Sequence, residues 1–405
     1  MKKILIIGGD NGGGSAGDEI MCQIAYEYFL KQGYSVYTDA QSEQWKPYSE
    51  DVKVIKQLRK DDYSNIFQRI ITSILKLYRL LFLPTFVKIK QRIPLLCHGN
   101  DFKALLNEVD VIFFAGNGGL TDKYPITVLT YWSICNAAKK INVPVYISGV
   151  GIGPLTSSFL RRIFKAFVMI PEYISVRENG SSMMILKNAG REQNVLCVPD
   201  DAYFYEVSSY IKKQAIEYVN TNSRENKIKV GINIMKRIFE TDTTFEYFNK
   251  VICLLFPKDR YDVYFIAVTQ EDSIVLSMLQ KNFGSSILVD NREPSFIKAL
   301  IGQMDFMISS RYHGCVFAVS QNIPVIGIFQ EEYWKDKING VLRFVDLQRC
   351  AISIKEVCSE LEKLFKELEM NKECIKSQMK RKNAQHEKLA YYVHKKVLSY
   401  ESIMD

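Results

Sequence analysis

None of the nine cysteines stands in a C-x-x-C pair, so the sequence offers neither a zinc cage nor a disulfide framework, and the thiols read as reduced and mostly buried. Histidine is scarce, four in 405 residues, which gives weight to any one placed beside a cation at the end of a strand. Long apolar runs are missing as well. Met1-Lys2-Lys3 followed by Ile4 to Ile7 begins like a secretory signal, yet Gly8, Gly9 and Asp10 break the run after four residues. That is too short for a signal's hydrophobic region, so the segment reads as a first β-strand and the protein as cytoplasmic. The run from Ile70 to Leu96 is divided by Pro84 and carries Lys76, Arg79, Lys88, Lys90 and Arg92, too short and too basic to span a bilayer. Zinc-finger, leucine-zipper and RNA-recognition signatures are also missing, which argues against nucleic acid as a partner.

What remains is a globular composition, 47% hydrophobic and 24% charged, on a chain long enough for two cores. The net charge of +8 favours anionic partners, phosphorylated small molecules and anionic lipid before nucleic acid.

Apolar runs of strand length recur at 3–8, 34–38, 109–115, 144–149, 172–176 and 195–199, and again at 228–234, 261–267, 286–290, 304–309 and 324–329. Between most of them lies helical spacing, as in Ile20, Ile24 and Tyr28. Alternation of this kind predicts an α/β fold of parallel sheets built by right-handed crossovers. The second series restarts after the polar stretch Asn220 to Lys227. Two Rossmann-like domains follow, over 1–210 and 211–350, with a helical segment over 351–405 in which Ile354, Val357, Leu361, Leu364 and Leu368 repeat at 3–4 spacing. Residues 46–100 interrupt the alternation where a third strand region belongs. There Leu80 to Leu83, Phe86 and Val87 mix with basic residues. Two readings stand: helices packed on the first domain with a solvated basic face, or peripheral contact of residues 70–96 with an anionic membrane.

Four glycine- or cation-bearing loops carry the chemistry. Gly8 to Asp18 contains a literal G-x-G-x-x-G at Gly12, Gly14 and Gly17, and Asp39 falls where a ribose-binding acid would. Dinucleotide binding fits poorly, because the fingerprint puts its first glycine at the strand end, here Gly8, and Asp18 would repel a phosphate at the helix N-terminus. A glycine-rich substrate loop fits better. Phe113 to Asp122, with Asn117, Gly118 and Gly119, and Ser148 to Pro154, with Gly151, also follow strands. Open α/β sheets place ligands at such ends, although tight turns alone would use the same residues. The sharpest element is Ile308 to Ala318. A strand runs into a small-residue helix, and Ser310, Arg311, His313 and Gly314 stand at the junction. Helix N-terminal amides bind anions, Ser310 is suited to cap, and Arg311 offers a forked cation. His313 is placed for proton exchange. Cys315, two residues on, points away from it, which argues against a Cys–His nucleophile pair. Arg177 and Asp200-Asp201 end further strands, positions that surface ion pairs and caps also occupy.

In order, Ser15-Ala16-Gly17-Asp18, Gly116 to Asp122, Gly149 to Pro154, Val176-Arg177 with Ser181, Pro199 to Ala202 with Phe204, Glu271-Asp272, Ser310 to Gly314, Pro324 and Lys337 to Gly340 resemble the polysaccharide pyruvyl transferase family over about 4–346. The Arg-x-His element is the most specific of them. The resemblance implies two Rossmann-like domains in the GT-B arrangement, a phosphoenolpyruvate donor, no metal and no cofactor, and an active site holding Arg311 and His313. It further implies a glycan or lipid-linked oligosaccharide as acceptor. Where the family tends to place an arginine after the first strand of its second domain, this chain has Met235-Lys236-Arg237, leaving Lys236 or Arg237 to replace it. Moving a pyruvyl group requires protonation of the donor's methylene, stabilisation of a cationic carbon and loss of phosphate. Arginine suits the anion and histidine the proton. The expected roles are therefore His313 as acid–base group, Arg311 and Arg177 as anion clamp, and Lys337 with the glycine-loop amides in support. Asp201 is expected with them. A nucleotide-sugar glycosyltransferase of the same architecture, or a non-catalytic protein of polysaccharide assembly, are the competing readings.

Overall fold

The computed structural model describes residues 1–8, 16–39, 49–55, 74, 77, 78, 80–85, 87, 88, 99–178, 180–224, 226–239, 241–283 and 286–404. The expectations placed on Gly12 and Gly14, and on most of 46–100, fall outside these residues. The chain divides into two compact units, Met1–Asp201 with Tyr391–Asp405, and Ala202–Ala390.

The first unit is built on a seven-stranded parallel sheet of β1 (Lys3–Gly8), β2 (Ser35–Asp39), β3 (Lys53–Ile55), β4 (Val111–Ala115), β5 (Val145–Val150), β6 (Tyr173–Val176) and β7 (Val195–Cys197), in the order β3-β2-β1-β4-β5-β6-β7. The alternation along β1 explains both faces. Leu5 and Ile7 join Ile112 and Phe114 in one core, while Ile4 and Ile6 join Val111 and Phe113 in the other. Helices cover both sides, so the strands read as continuous apolar runs. The second core also takes Val393 and Val397, which lie on the C-terminal helix Tyr392–Met404.

The second unit carries β8 (Ile228–Asn233), β9 (Tyr261–Ile266), β10 (Ile287–Val289), β11 (Phe306–Ser309), β12 (Val325–Phe329) and β13 (Ala351–Ser353), all parallel, in the order β10-β9-β8-β11-β12-β13. Helices Val357–Met370 and Lys372–His386 belong to this unit. In each sheet the strand order reverses beside the first strand, between β1 and β4 and between β8 and β11. Those reversals are the points where open α/β sheets accept ligands, outside the carboxyl ends of the strands. No helix among the described residues is long and apolar enough to cross a membrane.

Candidate active site

In the second unit, β8 and β11 run side by side, with Asn233 opposite Ser309. Their buried ends are stitched together by polar groups. Asn233 Nδ2 donates to the Ile266 carbonyl at 2.8 Å, and its Oδ1 lies 3.1 Å from Ser309 Oγ. Ser309 Oγ accepts from the Arg311 N–H at 3.1 Å, and Ser310 N donates to the Asn233 carbonyl at 2.9 Å. Arg311 then takes an extended conformation as N-cap of the helix Tyr312–Ser320, without a side-chain capping bond. Ser310, expected as a cap, does something else: its buried hydroxyl accepts from the Met235 N–H at 2.8 Å, tying the loop after β8 to the loop after β11. Gly314 is required by close approach. A Cβ there would stand 2.3 Å from Ser309 Oγ and 3.0 Å from Asn233 Oδ1, so only glycine lets the helix start this near the strand ends.

The Arg311 side chain, 13% exposed, turns toward a fully buried carboxylate. Its Nε donates to Asp272 at 3.1 and 3.2 Å, and Nη2 donates to Asp272 Oδ1 at 2.5 Å and to Thr269 Oγ1 at 2.9 Å. The fork expected for an external anion is thus half engaged within the protein, and Nη1 has no hydrogen-bond partner among the described residues. His313 is buried at 7% exposure in the first turn, its ring edge-on to Tyr312 at 5.0 Å. Cys315 is fully buried, and burial pushes its thiol up to about 12, consistent with a packing role.

Lys236 and Arg237 form a short exposed turn after β8. Arg237 reaches Glu271 at 3.6 Å in an exposed pair, worth little in water. The Lys236 ammonium has no partner among the described residues. Lys337 lies on the next helix, Glu332–Arg343, buried, donating to Tyr333 Oη and set over the Tyr333 and Trp334 rings at 4.0 and 5.1 Å.

In the first unit the structure brings Asn117, Gly118, Gly119, Gly151 and Arg177 together. Asn117 Oδ1 accepts from the Gly119 N–H at 2.8 Å, and Asn117 O from the Gly151 N–H at 2.8 Å. Arg177 runs beneath Gly151, where a Cβ would meet its Nε at 3.2 Å. Its guanidinium is 3% exposed and pairs with Asp200 at 3.4 Å. Expected on the anion clamp, Arg177 in this geometry braces the glycine loop from within. Gly17 and Asp18 stand in the first turn of the helix Ala16–Lys31, which follows β1 at the reversal of this sheet.

Asp201 is almost fully buried and accepts from Ser148 Oγ at 2.9 Å. Burial pushes its carboxyl up to about 7; the Ser148 bond opposes the shift and Asp200 adds to it. His394 Nδ1 lies 3.9 Å from Asp201, too far for a hydrogen bond. The imidazole is enclosed by Tyr28, Phe29, Phe113 and Tyr391, and burial lowers it to about 3. The contact is therefore a neutral pair rather than a salt bridge between pH 3 and 7. Sequence reasoning missed this contact, since 193 positions separate the two residues (394 − 201).

The two shifts act on stability with opposite sign. Asp201, raised from 3.8 to about 7, contributes stability that is full below pH 3.8 and lost as pH rises through 7. His394, lowered from 6.5 to about 3, contributes stability that is full above pH 6.5 and lost as pH falls toward 3. From about pH 4 to 6.5 the two slopes offset one another. Relative to wild type, Asp201→Asn is expected to gain stability as pH rises through that window and His394→Phe to lose it, each by up to about 1.4 kcal/mol per pH unit. Thermal unfolding across pH 4–7 measures this; parallel curves for all three proteins would refute it.

The fold places the chain in a class. Solved structures similar over nearly their whole length include a glycosyltransferase from Rickettsia africae (12% identity, TM-score 0.58, covering 100% of this chain and 99% of that one). UDP-GlcNAc 2-epimerase from Neisseria meningitidis bound to UDP-GlcNAc is another (14% identity, TM-score 0.56, 94% of each chain), as is HepE of Anabaena in complex with UDP (11%, 0.57, 99% and 100%). At such identities the likeness defines the fold, the paired Rossmann-like units of the GT-B type. No curated protein matches the sequence. The model for polysaccharide pyruvyl transferase matches residues 16–328, about three-quarters of the chain, and the protein belongs to that family. Its span takes in the Arg311 to Gly314 junction and stops short of Lys337.

Proposed function

We propose that this protein transfers a pyruvyl group from phosphoenolpyruvate to a sugar of a cell-surface polysaccharide or its lipid-linked precursor, with release of phosphate. Membership of a family of transferases acting on polysaccharide supports the reaction class. The observation that carries the reading is the placement of Arg311 and His313 at the strand-order reversal of the second sheet, directly after β11 and beside the end of β8. A helix N-terminus and an arginine at such a point suit a compact anion.

In this reading, the N-terminal amides of the helix Tyr312–Ser320, Arg311 Nη1 and the Lys236 ammonium hold the donor's phosphate and carboxylate. Lys236 rather than Arg237 takes the place of the missing arginine, because Arg237 already faces Glu271. His313 delivers a proton to the methylene carbon while a sugar hydroxyl adds to the enol carbon. A second hydroxyl then attacks that carbon as the C–O bond to phosphate breaks, closing the ketal; one hydroxyl proton returns to the imidazole and the other leaves with the phosphate. The loops around Asn117 and Gly151 form the acceptor side, and the acceptor is met in the cytoplasm.

Thermal unfolding with each donor class tests the proposal, since a ligand that binds only the folded state raises the unfolding temperature. Phosphoenolpyruvate is expected to raise it and to yield phosphate only when acceptor is added. Stabilisation by UDP with no response to phosphoenolpyruvate would favour a nucleotide-sugar donor instead.

A further inference from the structure

We infer that Asp272, aided by Thr269, is the positioning residue of this site: it fixes the Arg311 guanidinium so that Nη1 alone meets the donor anion, and it offsets the guanidinium's charge so that the phosphate product leaves. The inference rests on the reading that Arg311 touches the donor.

Arginine has five N–H donors in a rigid fork. Here Nε and both Nη2 hydrogens are directed at Asp272 and Thr269, leaving the two on Nη1. The Asp272 carboxylate is itself held from the other side. It is fully buried and also accepts from the Val268 and Thr269 N–H groups, at 3.3 and 3.1 Å, and lies 3.5 Å from Asn233 Nδ2. These partners come from the loop after β9 and from the end of β8, so the guanidinium plane is set by two neighbouring strands rather than by its own rotamers. A bidentate grip on carboxylate or phosphate needs Nε with Nη2, or both Nη atoms. With the first edge closed by Asp272, the anion is approached through Nη1, at a near-neutral Arg–Asp pair. Such a site orients a dianion without holding it tightly.

Two consequences separate positioning from a merely structural role. Asp272→Asn removes one negative charge beside the anion and loosens the fork. Inorganic phosphate, added as a product inhibitor, is expected to bind about tenfold more tightly, while kcat falls about a hundredfold because the guanidinium is no longer aimed. Thr269→Val removes only the Nη2 bond at a half-buried position; kcat is expected to fall about tenfold, with Thr269→Ser restoring it. Should both variants lower the unfolding temperature while the folded fraction keeps wild-type kcat and phosphate inhibition, Asp272 and Thr269 are structural and the inference fails. If Asp272→Asn does not fold, the Thr269 pair decides the matter alone. Arg311→Met separates this from the underlying reading. Wild-type kinetics in that variant would overturn both, whereas lost activity with unchanged Asp272 and Thr269 variants would overturn the positioning role only.

Discussion

Replacing His313 with glutamine is expected to lower phosphate release from phosphoenolpyruvate in the presence of acceptor by about 10²–10⁴-fold, the usual contribution of a positioned proton donor. In the proposed transfer a carbon must be protonated, and an imidazole is the side chain suited to give up a proton near neutral pH. The ring is 7% exposed and held edge-on against Tyr312, so its direction is set by packing. Glutamine keeps a polar group of similar reach and cannot exchange a proton, which is why the loss should fall on kcat while the unfolding temperature stays within a few degrees. A variant that releases phosphate at the wild-type rate would remove His313 from the mechanism.

The largest expected effect on stability lies at Lys298. Its ammonium, on a residue 3% exposed, donates to the carbonyls of Ala202, Tyr203 and Tyr205 at 2.9, 3.0 and 2.8 Å. These three residues open the second unit, immediately after Asp201. Lys298→Met retains the apolar stem beside Phe317 but leaves three carbonyls without their donor. Losing a buried cation from such a cluster costs about 3–5 kcal/mol. For a unit of this size that corresponds to a fall of about 10 °C in unfolding temperature. Calorimetry measures it, and a change below about 2 °C would show that water or neighbouring groups satisfy those carbonyls equally well.

Much of this architecture was legible in the sequence because buried parallel strands write themselves as unbroken apolar runs. The runs at 109–115, 261–267 and 304–309 correspond to β4, β9 and β11. The short edge strand β13, three residues from Ala351, gave too little pattern to be seen. Helical spacing marked the tail as helical, yet spacing alone does not say which sheet a helix covers; Val393 and Val397 return to the first unit's core. Around the candidate site, the strand-end position of Arg311 and His313 was readable from the junction of an apolar run with a small-residue helix. Their environment was not. Asp272 stands 39 positions before Arg311, and Arg177 meets Asp200 across 23, separations at which sequence carries no geometry. The anion fork that Arg311 offers on paper is closed on one edge by that distant carboxylate, and the hydroxyl of Ser310 bonds the loop after β8 rather than its own helix.

The proposed transfer of a pyruvyl group from phosphoenolpyruvate to a sugar rests on the Arg311–His313 junction. Its most direct test is mass analysis of glycosides, some lipid-linked, incubated with purified protein and phosphoenolpyruvate. The predicted result is a product heavier by one pyruvyl ketal, with one phosphate released per transfer, and no product from the His313→Gln variant. Unchanged glycosides alongside intact phosphoenolpyruvate, with sugar transfer instead from a nucleotide-sugar donor, would contradict it.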